Sequence, residues 1–144
     1  MTSPAHEIVL DTNVLISAMK SRTGASFKLL SLVDSGRFRV NVSVPLVLEY
    51  EAVAMRHEAG VPLSEEDVEA ILDHLCAVGR RNEIFFLWRP FLRDPGDDLV
   101  LEAAVSGGCA YIVTHNIRDF AGCESFGIQA VTPGEFLKVI GESR

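Results

Sequence analysis

The stretch EIVLDTN, residues 7–13, sets the pattern from which the fold can be read. Its three consecutive aliphatic residues, 8–10, favour a short buried strand, and Asp11 stands where it can cap a helix, which we expect over residues 12–20. A buried strand followed at once by a helix is typical of the parallel sheets of α/β proteins.

The same alternation continues along the chain. We expect further strands at residues 38–42, 83–88, 110–114 and 128–131, with helices in most of the intervals, in the order β-α-α-β-α-α-β-α-β-β-α. This order predicts an α/β fold with a mostly parallel five-stranded sheet flanked by helices on both faces. Since no linker or repeat interrupts a chain that is 48% hydrophobic, residues 1–144 are expected to form a single domain.

Several classes of protein are disfavoured by composition. The longest uncharged stretch, residues 103–117, is too short and too polar to span a bilayer, and residues 1–7 lack the basic and apolar blocks of a signal peptide. The three cysteines are odd in number and have no C-x-x-C spacing, which indicates reduced thiols. We therefore expect a cytoplasmic protein with no membrane segment.

The net charge of −7, from 20 acids against 13 Lys plus Arg, at first argues against a polyanionic substrate. Five of the acids, however, crowd into one expected helix over residues 65–73, which need not face a ligand. A nucleic-acid interface therefore stays open.

Acids stand repeatedly where a strand gives way to a helix, and parallel strands bring such positions to one edge of the sheet. Two carboxylates about 4 Å apart repel by about 4 kcal/mol at an effective dielectric near 20, so such a cluster needs protons or a cation. Carboxylate ligands suit the hard ions Mg²⁺ or Mn²⁺. The acids in question are Asp11, Glu49, Asp94, Asp97, Asp98 and Asp119.

Each of these acids also has a purely structural explanation. Asp11 is explained equally well as a helix cap with no further role. Asp97 or Asp98 is favoured at a helix start because the free N–H groups there attract a carboxylate. Helical periodicity does not choose Glu49 over Glu51. Asp119 can be a simple turn acid.

Four segments, in this order, resemble the PIN-domain ribonucleases: LDTN at 10–13, LVLEY at 46–50, DPGDDLVLEAA at 94–104 and YIVTHNIRDF at 111–120. Within that family the likeness is closest to prokaryotic toxin components of toxin–antitoxin pairs, the VapC-like proteins. The resemblance covers residues 8–137. It implies a Mg²⁺- or Mn²⁺-dependent endoribonuclease that hydrolyses RNA to leave a 3′-hydroxyl and a 5′-phosphate, a cognate antitoxin protein as partner, and a homodimer.

Carried over to this chain, the family's first acid is Asp11, its second is Glu49 and its third is Asp98. Many PIN domains have an aspartate two residues after the threonine of the fourth segment, where this chain has Asn116. Asp119 is near enough to take over the metal-facing role. The residues expected to support these acids are Thr12, Asn13, Asp97, Thr114 and Asn116.

Two other functions remain open at this point. A PIN-like fold with weakened catalysis could bind RNA or a protein, and Asn116 is the feature in its favour. An aspartate-nucleophile phosphatase would use Asp11 at the end of the first strand, although Asn13 stands where that chemistry expects a second aspartate.

Overall fold

A computed structural model describes residues 5–84 and 92–142 of the chain. The strands are β1 (His6–Leu10), β2 (Phe38–Val42), β3 (Arg80–Arg81), β4 (Tyr111–Val113) and β5 (Gln129–Val131). The helices are α1 (Thr12–Lys20), α2 (Ala25–Ser31), α3 (Val44–Ala54), α4 (Glu65–Val78), α5 (Pro95–Ser106) and α6 (Pro133–Val139). Short 3₁₀ turns lie at His57–Ala59, Ile117–Phe120 and Cys123–Phe126.

The five strands form one sheet in the order β3-β2-β1-β4-β5, and every neighbouring pair is parallel. The predicted α/β class and the predicted succession of strands and helices are confirmed. The central strand β1 is almost inaccessible to solvent at Ile8, Val9 and Leu10, which explains why it consists of consecutive aliphatic residues.

Helices cover both faces of the sheet. On one face the ring of Phe38 in β2 lies 5.5 Å from that of Phe136 in α6. Asn41, three residues further along β2, lies against Gly107 at the end of α5. Because successive strand residues point to opposite faces, α6 and α5 lie on opposite sides.

The third strand differs from the prediction. The sequence favoured residues 83–88, but β3 is Arg80–Arg81, while Glu83 and Ile84 have no regular structure and residues 85–88 lie outside the described part of the chain. Both arginines are exposed, so β3 carries no buried apolar pattern by which it could be recognised. It is defined by its pairing with β2.

Helix capping accounts for where the helices begin. Ser43, Ser64 and Thr132 each accept a hydrogen bond from a backbone N–H of the first turn, and Thr132 completes a capping box with Glu135. Helix α3 ends at Ala54, and the chain then turns into the 3₁₀ segment His57–Ala59. In the described residues, no helix has the length and apolar character needed to cross a membrane.

Candidate active site

The site is built around Asp11 at the carboxyl end of β1. Leu10 pairs with Val113 of β4, so the next residues of the two strands, Asp11 and Thr114, become neighbours at the sheet edge. The Thr114 hydroxyl donates to Asp11 Oδ2 at 2.7 Å, and the Thr12 N–H donates to Asp11 Oδ1 at 2.8 Å. Asp11 is 5% exposed, so both of its oxygens are fixed in a nearly buried position.

A cavity of about 780 Å³ opens beside Asp11. Five carboxylates line it, contributed by β1, α3, α5 with its cap, and the turn after β4. They are Asp11, Glu49, Asp94, Asp97 and Asp119. The sheet edge thus brings together acids that are up to 108 positions apart in sequence, as the strand-end pattern predicted.

The carboxylates interact electrostatically. Burial raises the pKa of Asp11, the charges of Asp119 and Asp94 raise it further, and the hydrogen bonds from Thr114 and Thr12 oppose this change. Burial also raises the pKa of Asp97 to about 7, helped by the negative charges of Asp11, Asp94, Asp119 and Asp98. Within the described residues none of the five lining acids forms an ion pair. The cavity therefore carries negative charge that no cation of the described residues neutralises at contact distance.

The third acid of the site differs from the one predicted. Asp98 does not line the cavity: it is 3% exposed, and its Oδ1 accepts a hydrogen bond from the Leu92 N–H at 2.9 Å. Asp97, expected only as a supporting residue, is the one that faces the cavity. Neighbouring helix residues point about 100° apart, and the hydrogen bond from the Leu92 N–H holds Asp98 on the buried side of α5 while Asp97 faces the cavity.

Glu49 enters the cavity through a close approach to helix α5. Its Oε2 lies 3.1 Å from where a Cβ would stand on Gly96, and Asp94 Oδ1 lies 3.3 Å from the same point. Asp94 also caps α5, accepting from the Gly96 N–H at 2.8 Å. Because Gly96 has no side chain, the carboxylates of Glu49 and Asp94 can both approach it closely. Glu51, which periodicity did not distinguish from Glu49, is not among the lining residues.

Two residues of the fourth segment, the candidates for its metal-facing role, lie at the cavity. Asn116 and Asp119 both line the cavity, and the Asn116 N–H donates to Thr114 Oγ1 at 2.9 Å. The Asp119 N–H donates to the Asn116 carbonyl at 3.0 Å, which places the acid one turn beyond the amide. Asp119 is thus near enough for its charge to raise the pKa of Asp11.

The supporting residues have distinct positions. Thr12 and Asn13 line the cavity, and Asn13 Oδ1 accepts from the His115 N–H at 3.3 Å. Thr114 is fully buried behind Asp11. His115 is not a lining residue, and its Nε2 lies 3.0 Å from Ser26 Oγ.

Sequence reasoning missed part of the cavity wall. Asp94 was noted but not assigned to the site, and the cavity also includes Ile16, Lys20, Val53 and Arg56. A signal was present, because residues 13, 16 and 20 lie on one face of α1 and residues 49, 53 and 56 follow the same helical spacing. Only the packing of α1 beside α3 turns these two stripes toward one space.

Carboxylate oxygens are the donors that hard divalent cations prefer, so the chemistry of the lining fits Mg²⁺ or Mn²⁺. In residues 5–84 and 92–142, however, no three acids, histidines or cysteines stand together as a ready ligand set. The structure therefore shows acids that share a cavity, with raised pKa values at Asp11 and Asp97, and not a complete coordination shell.

The comparisons with known proteins agree with this arrangement. The family model of the PIN domain matches residues 7–118, which include all of β1 but its first residue, β2, β4, α5 and four of the five acids that line the cavity. No curated protein matches the chain. The match covers most of the sequence, and the chain therefore belongs to the PIN domain family, a family with a nuclease-type fold.

Proposed function

We propose that the protein is a metal-dependent endoribonuclease that hydrolyses RNA phosphodiester bonds. The observation that carries the proposal is the cavity at the carboxyl edge of the sheet, where five carboxylates converge and none has an ion-pair partner among residues 5–84 and 92–142. Membership of the PIN domain family supports the nuclease class. The RNA substrate and the need for a metal are parts of the proposal.

The residues that would hold a divalent ion are Asp11, Asp97, Asp119 and Glu49, with Asp94 beside them. When bound, Mg²⁺ or Mn²⁺ supplies positive charge that offsets the repulsion among the acids and the charge of the attacked phosphate. Asp97 takes the place that the sequence suggested for Asp98, because its carboxylate faces the cavity.

The chain's own groups orient the Asp11 carboxylate and can hold a proton in the cavity. Thr114 and the Thr12 N–H fix the direction in which the Asp11 carboxylate points, which preserves its geometry when charge nearby changes. With a pKa of about 7, Asp97 holds a proton on its carboxyl in about half of the molecules at neutral pH when no cation shares the cavity. Asn116 adds an amide that can hydrogen-bond a phosphate oxygen or a water.

The same geometry disfavours the phosphatase alternative. A nucleophilic aspartate needs a free oxygen directed at the phosphorus atom. Asp11 is 5% exposed, which leaves little room for attack on a phosphorus atom, and Asn13 stands where that chemistry expects a second aspartate.

The direct test is RNA cleavage by purified protein with Mn²⁺, with the cut ends mapped. Asp11→Asn and Asp97→Asn are expected to lower the rate by 100-fold or more, and EDTA should abolish cleavage. Asp73→Asn, on the exposed side of α4, removes the same charge away from the cavity and should cut as the wild type does. Wild-type cleavage by Asp11→Asn, or equal cleavage in EDTA, would overturn the proposal. A PIN-fold binding module without catalysis would instead bind RNA and leave it intact.

We further propose that the enzyme is the toxin of a toxin–antitoxin pair, which rests on the resemblance to VapC-like proteins. Its antitoxin would block the acidic cavity, for which an arginine side chain is suited because guanidinium–carboxylate contacts are strong and directional. Expression of the wild type without that partner should slow growth, and expression of Asp11→Asn should not. Equal growth inhibition by both would break the link between nuclease and toxicity.

A homodimer belongs to the same proposal. Val44 and Leu48, one turn apart on α3, are 69% and 58% exposed, an unusual exposure for large aliphatic residues on neighbouring turns. The other apolar stretch expected to contribute, residues 84–88, lies outside the described chain except for Ile84. Light scattering at high micromolar concentration should give twice the monomer mass. A monomer there would remove this part of the proposal.

A further inference from the structure

The cavity beside Asp11 also contains two cations, Lys20 and Arg56. Lys20 is the last residue of α1, whose N-cap is Asp11, so nine residues of helix put their Cα atoms about 13 Å apart. Arg56 follows Glu49 by seven residues, five of them within α3, which puts their Cα atoms about 10 Å apart. Both helices thus lead away from the acids; α1 ends in Lys20, and Arg56 lies two residues beyond the end of α3.

The two cations stand at the same end of the cavity. Lys20 Nζ lies 3.9 Å from where a Cβ would stand on Gly60, directly after the 3₁₀ turn His57–Ala59 that Arg56 precedes. Both side chains are exposed, and among the described residues neither forms an ion pair, although five carboxylates line the same space. The charges are therefore separated into an acidic end and a basic end.

The wall between the two ends is partly apolar. Ile16 of α1 and Val53 of α3 line it, both half-buried, together with Ser17. An apolar surface flanked by a negative and a positive end suits a ligand with flat apolar groups on a chain of phosphates. Nucleic-acid bases and their backbone have this character.

A cation at a helix C-terminus is favoured by the helix dipole whichever way its side chain points. That effect explains why Lys20 ends α1, but it does not direct the side chain into the cavity. Nor does it explain why Arg56, beyond the end of α3, lines the same cavity at the same end. That two cations from separate elements line one cavity without an ion-pair partner among the described residues is what points to a ligand.

We propose that Lys20 and Arg56 form a second phosphate-binding subsite for an RNA strand whose cleaved phosphate lies at the acids. The inference rests on the proposed nuclease function and deepens it. A separation of about 10–13 Å corresponds to two to four nucleotides, according to how far the strand is stretched beyond the ~3.4 Å spacing of a stacked helix. Arginine and lysine both bind phosphate, and arginine can do so with two parallel hydrogen bonds.

The first test measures binding without cleavage. In an Asp11→Asn background, a labelled 12-nucleotide RNA is titrated at several salt concentrations. Lys20→Ala and Arg56→Ala should each weaken binding about 3- to 10-fold and lower the slope of log Kd against log salt by about 0.7, the value for one phosphate contact on a single strand. Lys138→Ala on α6 and Arg81→Ala on β3 remove the same charges outside this cavity and should leave the slope unchanged.

The second test measures cleavage of RNAs of one sequence with lengths from 2 to 12 nucleotides. For the wild type, KM should fall about tenfold as the strand becomes long enough to reach both cations. The double variant Lys20→Ala/Arg56→Ala should lose that gain, so that its KM no longer falls with strand length, while the control Arg81→Ala/Lys138→Ala should keep the wild-type length dependence. If the double variant keeps the full length dependence and salt slope while the wild type cleaves, the subsite is refuted and the nuclease function stands.

Other outcomes separate the two proposals. If no RNA is cut by the wild type but binding depends on Lys20 and Arg56 as described, the subsite stands and the nuclease proposal fails. If the double variant binds RNA normally but no longer binds a poly-glutamate probe that the wild type binds, the cations serve an acidic protein segment. That result overturns the subsite for RNA.

Discussion

Replacing Asp97 by asparagine should stabilise the metal-free protein, because the variant removes a carboxylate from a cavity that already holds four others. The pKa of Asp97 is raised from 3.8 to about 7, chiefly by burial and then by the charge of Asp11. Since each pH unit of such a change corresponds to about 1.4 kcal/mol, the ionised form costs at most about 4 kcal/mol. Asp97 is only half-buried and water screens it, so we expect a gain of about 1–2 kcal/mol.

The sign of the pH dependence follows from the same values. Below about pH 4 Asp97 is protonated in both the folded and the unfolded chain and costs nothing. Between pH 4 and pH 7 the unfolded chain releases the proton while the folded chain retains it, so the wild type loses stability as the pH rises. The advantage of Asp97→Asn should therefore grow over this interval and be constant above it.

Thermal unfolding in EDTA from pH 4.5 to pH 8.5 measures this. At pH 8 the variant's Tm should exceed that of the wild type by about 3–8 °C, and the difference should shrink toward pH 4.5. With Mn²⁺ present, the wild type should have the higher Tm. An ion at 100 times its Kd raises the free energy of unfolding of a protein that binds it by about 2.7 kcal/mol. The control Asp73→Asn should show neither effect. An Asp97→Asn protein no more stable than the wild type in EDTA at pH 8 would refute the reasoning.

Three further variants test the assignment of the site. Asp98→Ala should lower stability by about 1–3 kcal/mol, since it leaves the Leu92 N–H without a partner, and urea unfolding measures this; a neutral effect would mean that the buried contact is unimportant. Gly96→Ala should displace the two carboxylates that flank it and weaken Mn²⁺ binding about tenfold by calorimetry, and unchanged affinity would show that those carboxylates do not serve the ion. Asp119→Asn should weaken Mn²⁺ binding more than Asn116→Ala, because a hard cation gains more from an anionic oxygen than from an amide; the opposite order would make Asn116 the true fourth position.

The sequence alone determined the fold class and the general place of the chemistry. A buried aliphatic strand followed by a capping acid is a local pattern, and it predicted β1, α1 and the role of Asp11 as N-cap. The alternation of strands and helices fixed a parallel sheet, because parallel neighbours need crossover connections. A parallel sheet implies in turn that acids at the strand ends converge at one edge, and the cavity lies there.

Prediction from the local pattern failed at β3, where there is no hydrophobic signal. It gave no answer for α3, where two glutamates are equivalent in sequence. Strand β3 consists of two exposed arginines, and it is a strand only because it pairs with β2. Glu49 and Glu51 differ only in helical phase, and the contact of α3 with α5 decides which one reaches the cavity.

The tertiary structure also decided which residues act together. Asp97 and Asp98 both suit a helix start, and the inward hydrogen bond from Leu92 to Asp98 turns Asp97 toward the cavity. Lys20 and Arg56 lie on separate helices, and their shared end of the cavity exists only because α1 and α3 pack side by side. The physical reason is the same in each case: local sequence sets which faces a helix has, while packing against its neighbours sets where those faces point.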